Sequence, residues 1–288
     1  MSKDFFGKNA DELKEKALFL LDMDGTIYNE NAIFEGTIEF LDLIVKQGGK
    51  YVFITNNSSK SSKAYVEKLE RMGIKANDDD IFSSIDATII LLKELYSEKL
   101  VYVQGTKSFI EELKENGIRV TEEVEDDIGV VLTGFDTELN FDKLNKTCEI
   151  LTKRDLPYYA TNPDLVCPVS YGFVPDNGSV AIMIENATKK KPIFIGKPQP
   201  TMIDLVCEKY HTEKKKALII GDRLYTDIAS GLNAKVDTVC VLTGEATLDD
   251  LKKTQFVPDY VFKSVIEITE AIRKVTVHTL NWANKSKN

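Results

Sequence analysis

Short apolar runs of strand length alternate with segments of helical periodicity along most of this chain. The intervening segments, such as 37–48 and 61–73, repeat apolar residues at helical spacing and end at glycine. Strands that alternate with helices favour right-handed crossovers and a largely parallel sheet, so the predicted fold class is α/β. The predicted strands are residues 17–21, 50–55, 99–104, 128–134, 179–184, 192–196, 216–222 and 236–242.

Polar side chains stand at the carboxyl ends of four of these predicted strands. Open parallel sheets bind ligands outside the carboxyl ends of their strands. We therefore expect the four groups to meet at one edge of one sheet. They are Asp22 and Asp24, Thr55 and Asn56, Lys197, and Asp222.

The chemistry of these groups favours a phosphate ligand and a hard cation. Carboxylates without histidine partners suit an oxygen-preferring ion such as Mg²⁺, which keeps coordination sites for water and phosphate. Lys197 and Thr55 could hold the remaining phosphate oxygens. Asp22 and Asp24 are too close to remain ionised together without compensation. The two residues can have different roles, in which Asp22 attacks phosphorus, and Asp24 donates a proton to the leaving oxygen and later activates water.

The composition of the chain limits its possible functions and its expected cellular location. A formal net charge of −9 argues against non-specific binding of nucleic acid. The four cysteines are widely spaced and only two histidines are present, which excludes the usual zinc spacings and argues against a disulfide framework. We find neither a signal peptide nor an apolar run long enough to span a membrane. The expected location is the reducing cytoplasm.

The middle of the chain is predicted to form an inserted second domain. Between residues 83 and 190 no predicted strand ends in a polar cluster, and residues 160–179 form a long loop rich in proline and glycine. The predicted division is 1–82 plus 191–288 for the core and 83–190 for the insert.

Four motifs resemble those of the haloacid dehalogenase-like hydrolases, most of which are Mg²⁺-dependent phosphatases. In order, they are "DMDGT", "FITNNS", "IGKPQP" and "GDRLYTDI". The chain is most similar to the NagD-type, 4-nitrophenylphosphatase-like branch (subfamily IIA) over Leu18 to Ile272. The resemblance implies a Rossmann-like core with an inserted α/β cap of the C2 type.

The resemblance also implies a role for each motif residue. Asp22 would be the nucleophile that forms an aspartyl-phosphate, Asp24 the acid and base, and Lys197 the contact to both nucleophile and phosphate. The implied phosphate contacts are Thr55, Asn56, Asn57 and Lys197. The implied Mg²⁺ site uses Asp22, the backbone carbonyl of Asp24, and Asp222, with Asp227 in a supporting position.

The spacing of the motifs agrees with a cap inserted after the second motif. Asp22 and Thr55 are 33 residues apart, which is too short for a helical cap, whereas 142 residues separate Thr55 from Lys197. We expect the cap to set which ester is cleaved, chiefly through the loop 161–179. The sequence leaves open whether Cys167 or Arg223 contacts substrate.

Several functions remain open from the sequence. A phosphatase of small phosphate monoesters uses every cluster, whereas a dehalogenase needs neither Asp24 nor magnesium. A non-catalytic or regulatory phosphate-binding protein would tolerate loss of Asp22 or Asp24, and a phosphomutase would commonly carry a helical cap. The expected partner is a small phosphate ester, with no nucleic acid and no membrane. A homodimer through the cap is left open, and so is the identity of the ester.

Overall fold

The computed structural model describes residues 2–169 and 171–273, which fold into two parallel sheets flanked by helices. The strands are β1 (Leu18–Leu21), β2 (Tyr28–Asn29), β3 (Ala32–Ile33), β4 (Lys50–Thr55), β5 (Ile81–Ser83), β6 (Leu100–Gln104), β7 (Val120–Thr121), β8 (Ile128–Thr133), β9 (Tyr158–Ala160), β10 (Val166–Val169), β11 (Gly172–Pro175), β12 (Ile193–Phe194), β13 (Ala217–Gly221), β14 (Asp237–Val241) and β15 (Tyr260–Phe262). The α-helices are α1 (Thr37–Lys46), α2 (Ser62–Arg71), α3 (Ser84–Tyr96), α4 (Lys107–Glu115), α5 (Phe141–Lys153), α6 (Asn177–Thr188), α7 (Thr201–Lys209), α8 (Ala229–Ala234), α9 (Leu248–Lys253) and α10 (Val265–Ile272). Residues 274–288 of the predicted core range lie outside the described residues. Among the helices described, none has the length and apolar character to cross a bilayer.

The larger sheet confirms the predicted parallel α/β core. Its strand order is β15-β14-β13-β1-β4-β5, and every neighbouring pair is parallel. Strand β1 is buried on both faces, because Leu18 and Leu20 pack into one apolar cluster and Phe19 and Leu21 into another. Burial on both faces explains why this strand reads as a continuous apolar run rather than an alternating one.

The smaller sheet comes from the middle of the chain and is joined to the first through a shared apolar cluster, to which helices α3 and α7 also contribute. Its order is β12-β9-β8-β6-β7, again with parallel pairs. Val101 and Val103 of β6 belong to the same apolar cluster as Leu18 and Leu20 of β1. The two sheets therefore share part of one core.

The predicted strand at residues 179–184 is wrong, because this segment lies within helix α6. Val180, Ala181 and Ile184 are buried on one side, whereas Ile182 and Met183 are about half exposed. A short apolar run without alternation fits a buried strand and a helix equally well. The side chain of Asp176 caps the helix by accepting the backbone N–H of Asn177, which favours the helical alternative.

Two further expectations about the middle of the chain differ from the structure. The segment 160–179 is not a plain loop, since β10 and β11 form an antiparallel hairpin within it. Strand β12 pairs with β9 of the smaller sheet, whereas its residues lie in the range 191–288 that was predicted to belong to the core. The polar groups expected on four strands of one sheet therefore come from three strands of the larger sheet and one of the smaller.

Candidate active site

Three neighbouring strands of the larger sheet bring their carboxyl ends together at the candidate site. Asp22 follows β1, Thr55 ends β4 and Asp222 follows β13, and these strands are adjacent in the order β13-β1-β4. Lys197 reaches the same place from β12 of the smaller sheet. Its ammonium lies 2.6 Å from the Oδ1 atom of Asp22. The site is thus assembled between the two sheets.

Lys197 is a buried cation held by two carboxylates. The residue is only 2% exposed, and its Nζ lies 2.6 Å from Oδ1 of both Asp22 and Asp227. A third N–H donates to the carbonyl of Ile54 at 3.2 Å. Burial lowers the pKa of this lysine, but the two carboxylates outweigh burial and keep the pKa above its ordinary value. Lys197 therefore remains charged and orients the Asp22 carboxylate.

Three aspartates form an acidic cluster that fits a hard divalent cation. One carboxylate oxygen from each of Asp22, Asp222 and Asp227 lies within 4.8 Å of the other two. Burial, with the charge of Asp227, raises the pKa of Asp22 to about 8 and that of Asp222 to about 6. Oδ2 of Asp222 accepts the N–H of Glu245, whereas its buried Oδ1 has no hydrogen-bond partner among the described residues. An unpaired buried oxygen beside other carboxylates is the arrangement that a bound Mg²⁺ would satisfy.

Gly25 makes the approach of Asp222 to the first motif feasible. Its φ of +87° lies in the left-handed region, and a Cβ atom there would lie 2.4 Å from Oδ2 of Asp222. Any other residue would clash with that carboxylate and strain the turn after β1. This explains the glycine that follows the two aspartates in the sequence.

Asp24 faces a cavity beside this cluster. The cavity has a volume of about 190 Å³, and its lining includes Asp22, Asp24, Thr55 and Cys167. Asp24 is half-buried, and its carboxylate makes no hydrogen bond or ion pair with the described residues. It is therefore available to a bound molecule.

Thr55, Asn56 and Asn57, three of the predicted phosphate contacts, all line the cavity. The backbone N–H of Asn57 donates to the hydroxyl oxygen of Thr55 at 3.2 Å. The side-chain oxygen of Asn57 accepts from the backbone and hydroxyl of Ser59. These bonds fix the loop after β4 in one conformation, with the Thr55 hydroxyl beside the cavity.

Asn56 has a different environment, because protein groups already occupy both of its side-chain donors. Its Nδ2 donates to Oδ2 of Asp164 at 2.7 Å and to the carbonyl of Lys197 at 2.8 Å. Its Oδ1 accepts the backbone N–H of Lys197 at 2.7 Å. A phosphate contact through this side chain would have to replace one of these bonds. Asn56 instead ties the end of β4 to the segment that carries Lys197.

The sequence analysis missed a buried polar network that joins the insert to this site. Asn162 donates through Nδ2 to Asp164 and to Asp176, and Asp164 in turn accepts from Asn56. Arg223 lies beside Asp164, with 3.6 Å between Nη1 and Oδ1. The sequence signal for this network is the run Thr161 to Asp164, which follows β9 directly. The expectation that no strand of the insert ends in a polar cluster is therefore wrong.

We expect Asn56→Ala to destabilise the protein and to lower activity. The substitution leaves the buried N–H and C=O of Lys197 unpaired, at a cost of about 1–3 kcal/mol for each group. Asn116→Ala is a matched control, because the Asn116 side chain donates to the carbonyl of Glu112 in the helix that ends just before it and not to a distant segment. Urea unfolding should show a loss of at least about 2 kcal/mol for Asn56→Ala, and kcat should fall as Lys197 loses its anchor. Equal stability and equal kcat in the two variants would contradict the assigned role.

Comparison with known proteins identifies the family. A haloacid dehalogenase-like hydrolase model matches residues 19–119, and a second HAD-hydrolase-like model matches residues 194–268. An acid sugar phosphatase of Staphylococcus haemolyticus is 31% identical over 247 residues, which cover 86% of this chain and 93% of that protein. The chain belongs to the haloacid dehalogenase-like hydrolases.

Solved structures place this hydrolase within the family. The 4-nitrophenylphosphatase from Thermotoga maritima superposes with a TM-score of 0.87 and 37% identity, over 91% of this chain and 99% of that one. NagD from Escherichia coli K-12 gives a TM-score of 0.79 and 29% identity, over 87% and 97% of the two chains. These matches confirm the predicted NagD-type branch, and with it the α/β fold class and the phosphatase class of enzyme.

Proposed function

We propose that this hydrolase is a Mg²⁺-dependent phosphatase that cleaves small phosphate monoesters through an aspartyl-phosphate on Asp22. The observation that carries the proposal is the placement of the Asp22 carboxylate. It is oriented by the Lys197 ammonium at 2.6 Å, it borders a cavity shared with Asp24, and it adjoins two further carboxylates. A nucleophile, an orienting cation and an acid are the groups that phosphoryl transfer to a carboxylate requires.

A cation is needed for Asp22 to act as a nucleophile near neutral pH. Burial and the neighbouring carboxylates raise the pKa of Asp22 to about 8, so its attacking form is disfavoured without added positive charge. We propose that Asp22, Asp222 and the backbone carbonyl of Asp24 hold Mg²⁺, while Asp227 supports the site through Lys197. When bound, the metal neutralises charge on the carboxylates and on the phosphate oxygens.

The remaining groups position the ester and move protons. The Thr55 hydroxyl and the Asn57 amide contact the phosphate oxygens in this proposal, and Lys197 neutralises charge at the nucleophile. The bond from phosphorus to the leaving oxygen breaks as the Asp22 oxygen attacks, and Asp24 gives its proton to that leaving oxygen. Asp24 then removes a proton from water as the water oxygen attacks phosphorus, and the bond between phosphorus and the Asp22 oxygen breaks, which releases phosphate and restores the Asp22 carboxylate.

Metal removal tests the acidic cluster. We expect EDTA to lower kcat for 4-nitrophenyl phosphate by about 10²-fold or more, and added Mg²⁺ to restore it. Asp222→Asn should require more Mg²⁺, whereas Asp249→Asn, which changes an exposed carboxylate paired with Lys252, should behave as wild type.

A second measurement separates metal binding from catalysis. Mg²⁺ should raise the Tm of the wild-type protein, since a ligand that binds only the folded state stabilises it. The same concentration should raise the Tm of Asp222→Asn less. Full activity in EDTA, or identical Mg²⁺ dependence of the wild type and Asp222→Asn, would contradict the proposed metal site.

The substrate proposal follows from the cavity and from the names of the relatives. The insert 83–190 forms part of the cavity wall through three residues of strand β10, which are Val166, Cys167 and Pro168. Arg223 of the core also lines the cavity. We propose that this insert is a cap domain that contacts the leaving group, and that sugar phosphates are among the esters cleaved. We also propose that the enzyme is cytoplasmic and binds neither nucleic acid nor membrane. We further propose a homodimer formed through the cap, and light scattering can test it.

A further inference from the structure

Two lysines line the wall of the cavity formed by the loop after β4 and by helix α2. Lys60 lies just before the helix and is exposed, and Lys68 lies within it and is half-buried. Both line the cavity that also contains Asp22 and Asp24. The proposed chemistry does not use either lysine.

The other cations of this cavity are already paired with carboxylates. Lys197 contacts Asp22 and Asp227, and Arg223 lies 3.1 Å from Glu245 through its Nε atom. In contrast, neither Lys60 nor Lys68 has a carboxylate within ion-pair distance in the part of the chain that the structure describes. The Nζ atom of Lys68 instead lies 3.9 Å from the centre of the Tyr28 ring.

Lys60 and Lys68 are close enough for their charges to act on each other. Burial is the main cause of the lowered pKa of Lys68. The charges of Asp24 and Glu30 act against this shift, whereas the charge of Lys60 adds to it. The two ammonium groups are therefore near enough to repel each other, and both residues line the cavity with Asp24. An anion bound between them would relieve this repulsion and replace the water lost on burial.

The position of Asp24 indicates which part of a substrate such an anion would belong to. In the proposed function, Asp24 protonates the leaving oxygen, so groups near Asp24 lie beside the leaving group. The transferred phosphate lies at Asp22, Thr55 and Lys197. We propose that Lys60 and Lys68 bind a second anionic group on the leaving portion of the substrate. The favoured esters are then phosphorylated carboxylic acids or bisphosphates. This inference rests on the proposed phosphatase mechanism.

A purely structural role for Lys68 is the alternative that the experiment must distinguish from substrate binding. A cation over an aromatic face stabilises by about 0.5–2 kcal/mol, and Lys68 could serve only to pack against Tyr28. Such a role affects stability and all substrates alike. A substrate-binding role instead changes the ranking of charged against neutral esters.

The test compares esters that differ in one charge. The carboxylate pair is 2-phosphoglycolate against 2-hydroxyethyl phosphate, and the phosphate pair is fructose 1,6-bisphosphate against fructose 6-phosphate. We expect kcat/KM for the charged member of at least one pair to exceed that of its neutral partner by about tenfold or more, as a charge-assisted hydrogen bond allows. The pair that shows the preference identifies the anion as a carboxylate or a phosphate.

Variants link that preference to the two lysines. Lys68→Met and Lys60→Met should each remove most of the preference, mainly through KM, while Lys63→Met should retain it. Lys63 is an exposed lysine of the same helix and does not line the cavity. If Lys68→Met does not fold, Lys60→Met decides the question, since the Lys60 side chain is exposed and makes no hydrogen bond or ion pair with the residues that the structure describes.

The outcomes distinguish this inference from the proposed function. If the wild-type enzyme cleaved none of the esters, including 4-nitrophenyl phosphate, both the inference and the proposed function would be wrong. Hydrolysis of 4-nitrophenyl phosphate without a preference in either pair would overturn the inference alone. A preference that survives in both Lys60→Met and Lys68→Met would also overturn it, because the anion would then be recognised elsewhere.

Discussion

Asp22→Asn is expected to lower kcat by roughly 10⁴-fold or more, because an amide cannot form the aspartyl-phosphate. Asparagine keeps the volume of the side chain and removes one of the mutually repelling carboxylates of the acidic cluster. The fold should therefore survive the substitution. The measurement is the steady-state hydrolysis of 4-nitrophenyl phosphate with saturating Mg²⁺.

Asp42→Asn provides the matched control for that experiment. Asp42 is an exposed residue of helix α1, so its variant should keep the wild-type kcat. Circular dichroism establishes that both variants are folded. A folded Asp22→Asn enzyme with turnover near that of Asp42→Asn would contradict the assignment of the nucleophile.

Asp24→Asn is expected to lower kcat by about 10²- to 10⁴-fold, the usual contribution of a general acid or base. An amide can neither give a proton to the leaving oxygen nor accept one from water. Because the Asp24 carboxylate makes no hydrogen bond or ion pair with the described residues, its replacement breaks none of these interactions among them. Stability should therefore stay close to that of the wild type in urea unfolding. A kcat within about threefold of wild type, with Mg²⁺ dependence intact, would refute the role.

Much of the candidate site could be predicted from the sequence, because the polarity of parallel strands brings its residues to one edge of the sheet. Asp22, Thr55 and Asp222 each stand at the end of an apolar run, and parallel strands deliver such residues to one edge. The sheet that carries Lys197 could not be predicted in the same way. An apolar run indicates a strand but does not specify its partner, and the pairing of β12 with β9 depends on tertiary structure.

The parts of the site that were missed depend on contacts between distant segments. Asn56 and Asp164 are 108 residues apart in sequence, and their hydrogen bond forms only when the insert packs on the core. The strand wrongly predicted at 179–184 has a different cause, because a short apolar run fits a strand and a helix equally well and the local signal for the helix was the cap at Asp176. Cys167, by contrast, lines the cavity at a place where the sequence had left its contact with substrate open.

In the proposed mechanism, phosphate passes through a covalent bond to Asp22, and the Asp24→Asn variant can trap that state. Nitrophenolate leaves without a proton donor, so the first step should proceed while hydrolysis of the intermediate is slow. The measurement is an acid quench of this variant after mixing with Mg²⁺ and 4-nitrophenyl phosphate, followed by peptide mass spectrometry. We predict a burst of nitrophenolate and a phosphoryl group on the Asp22 side chain. A burst with no phosphoryl group on the protein, or with one on a different residue, would contradict the account.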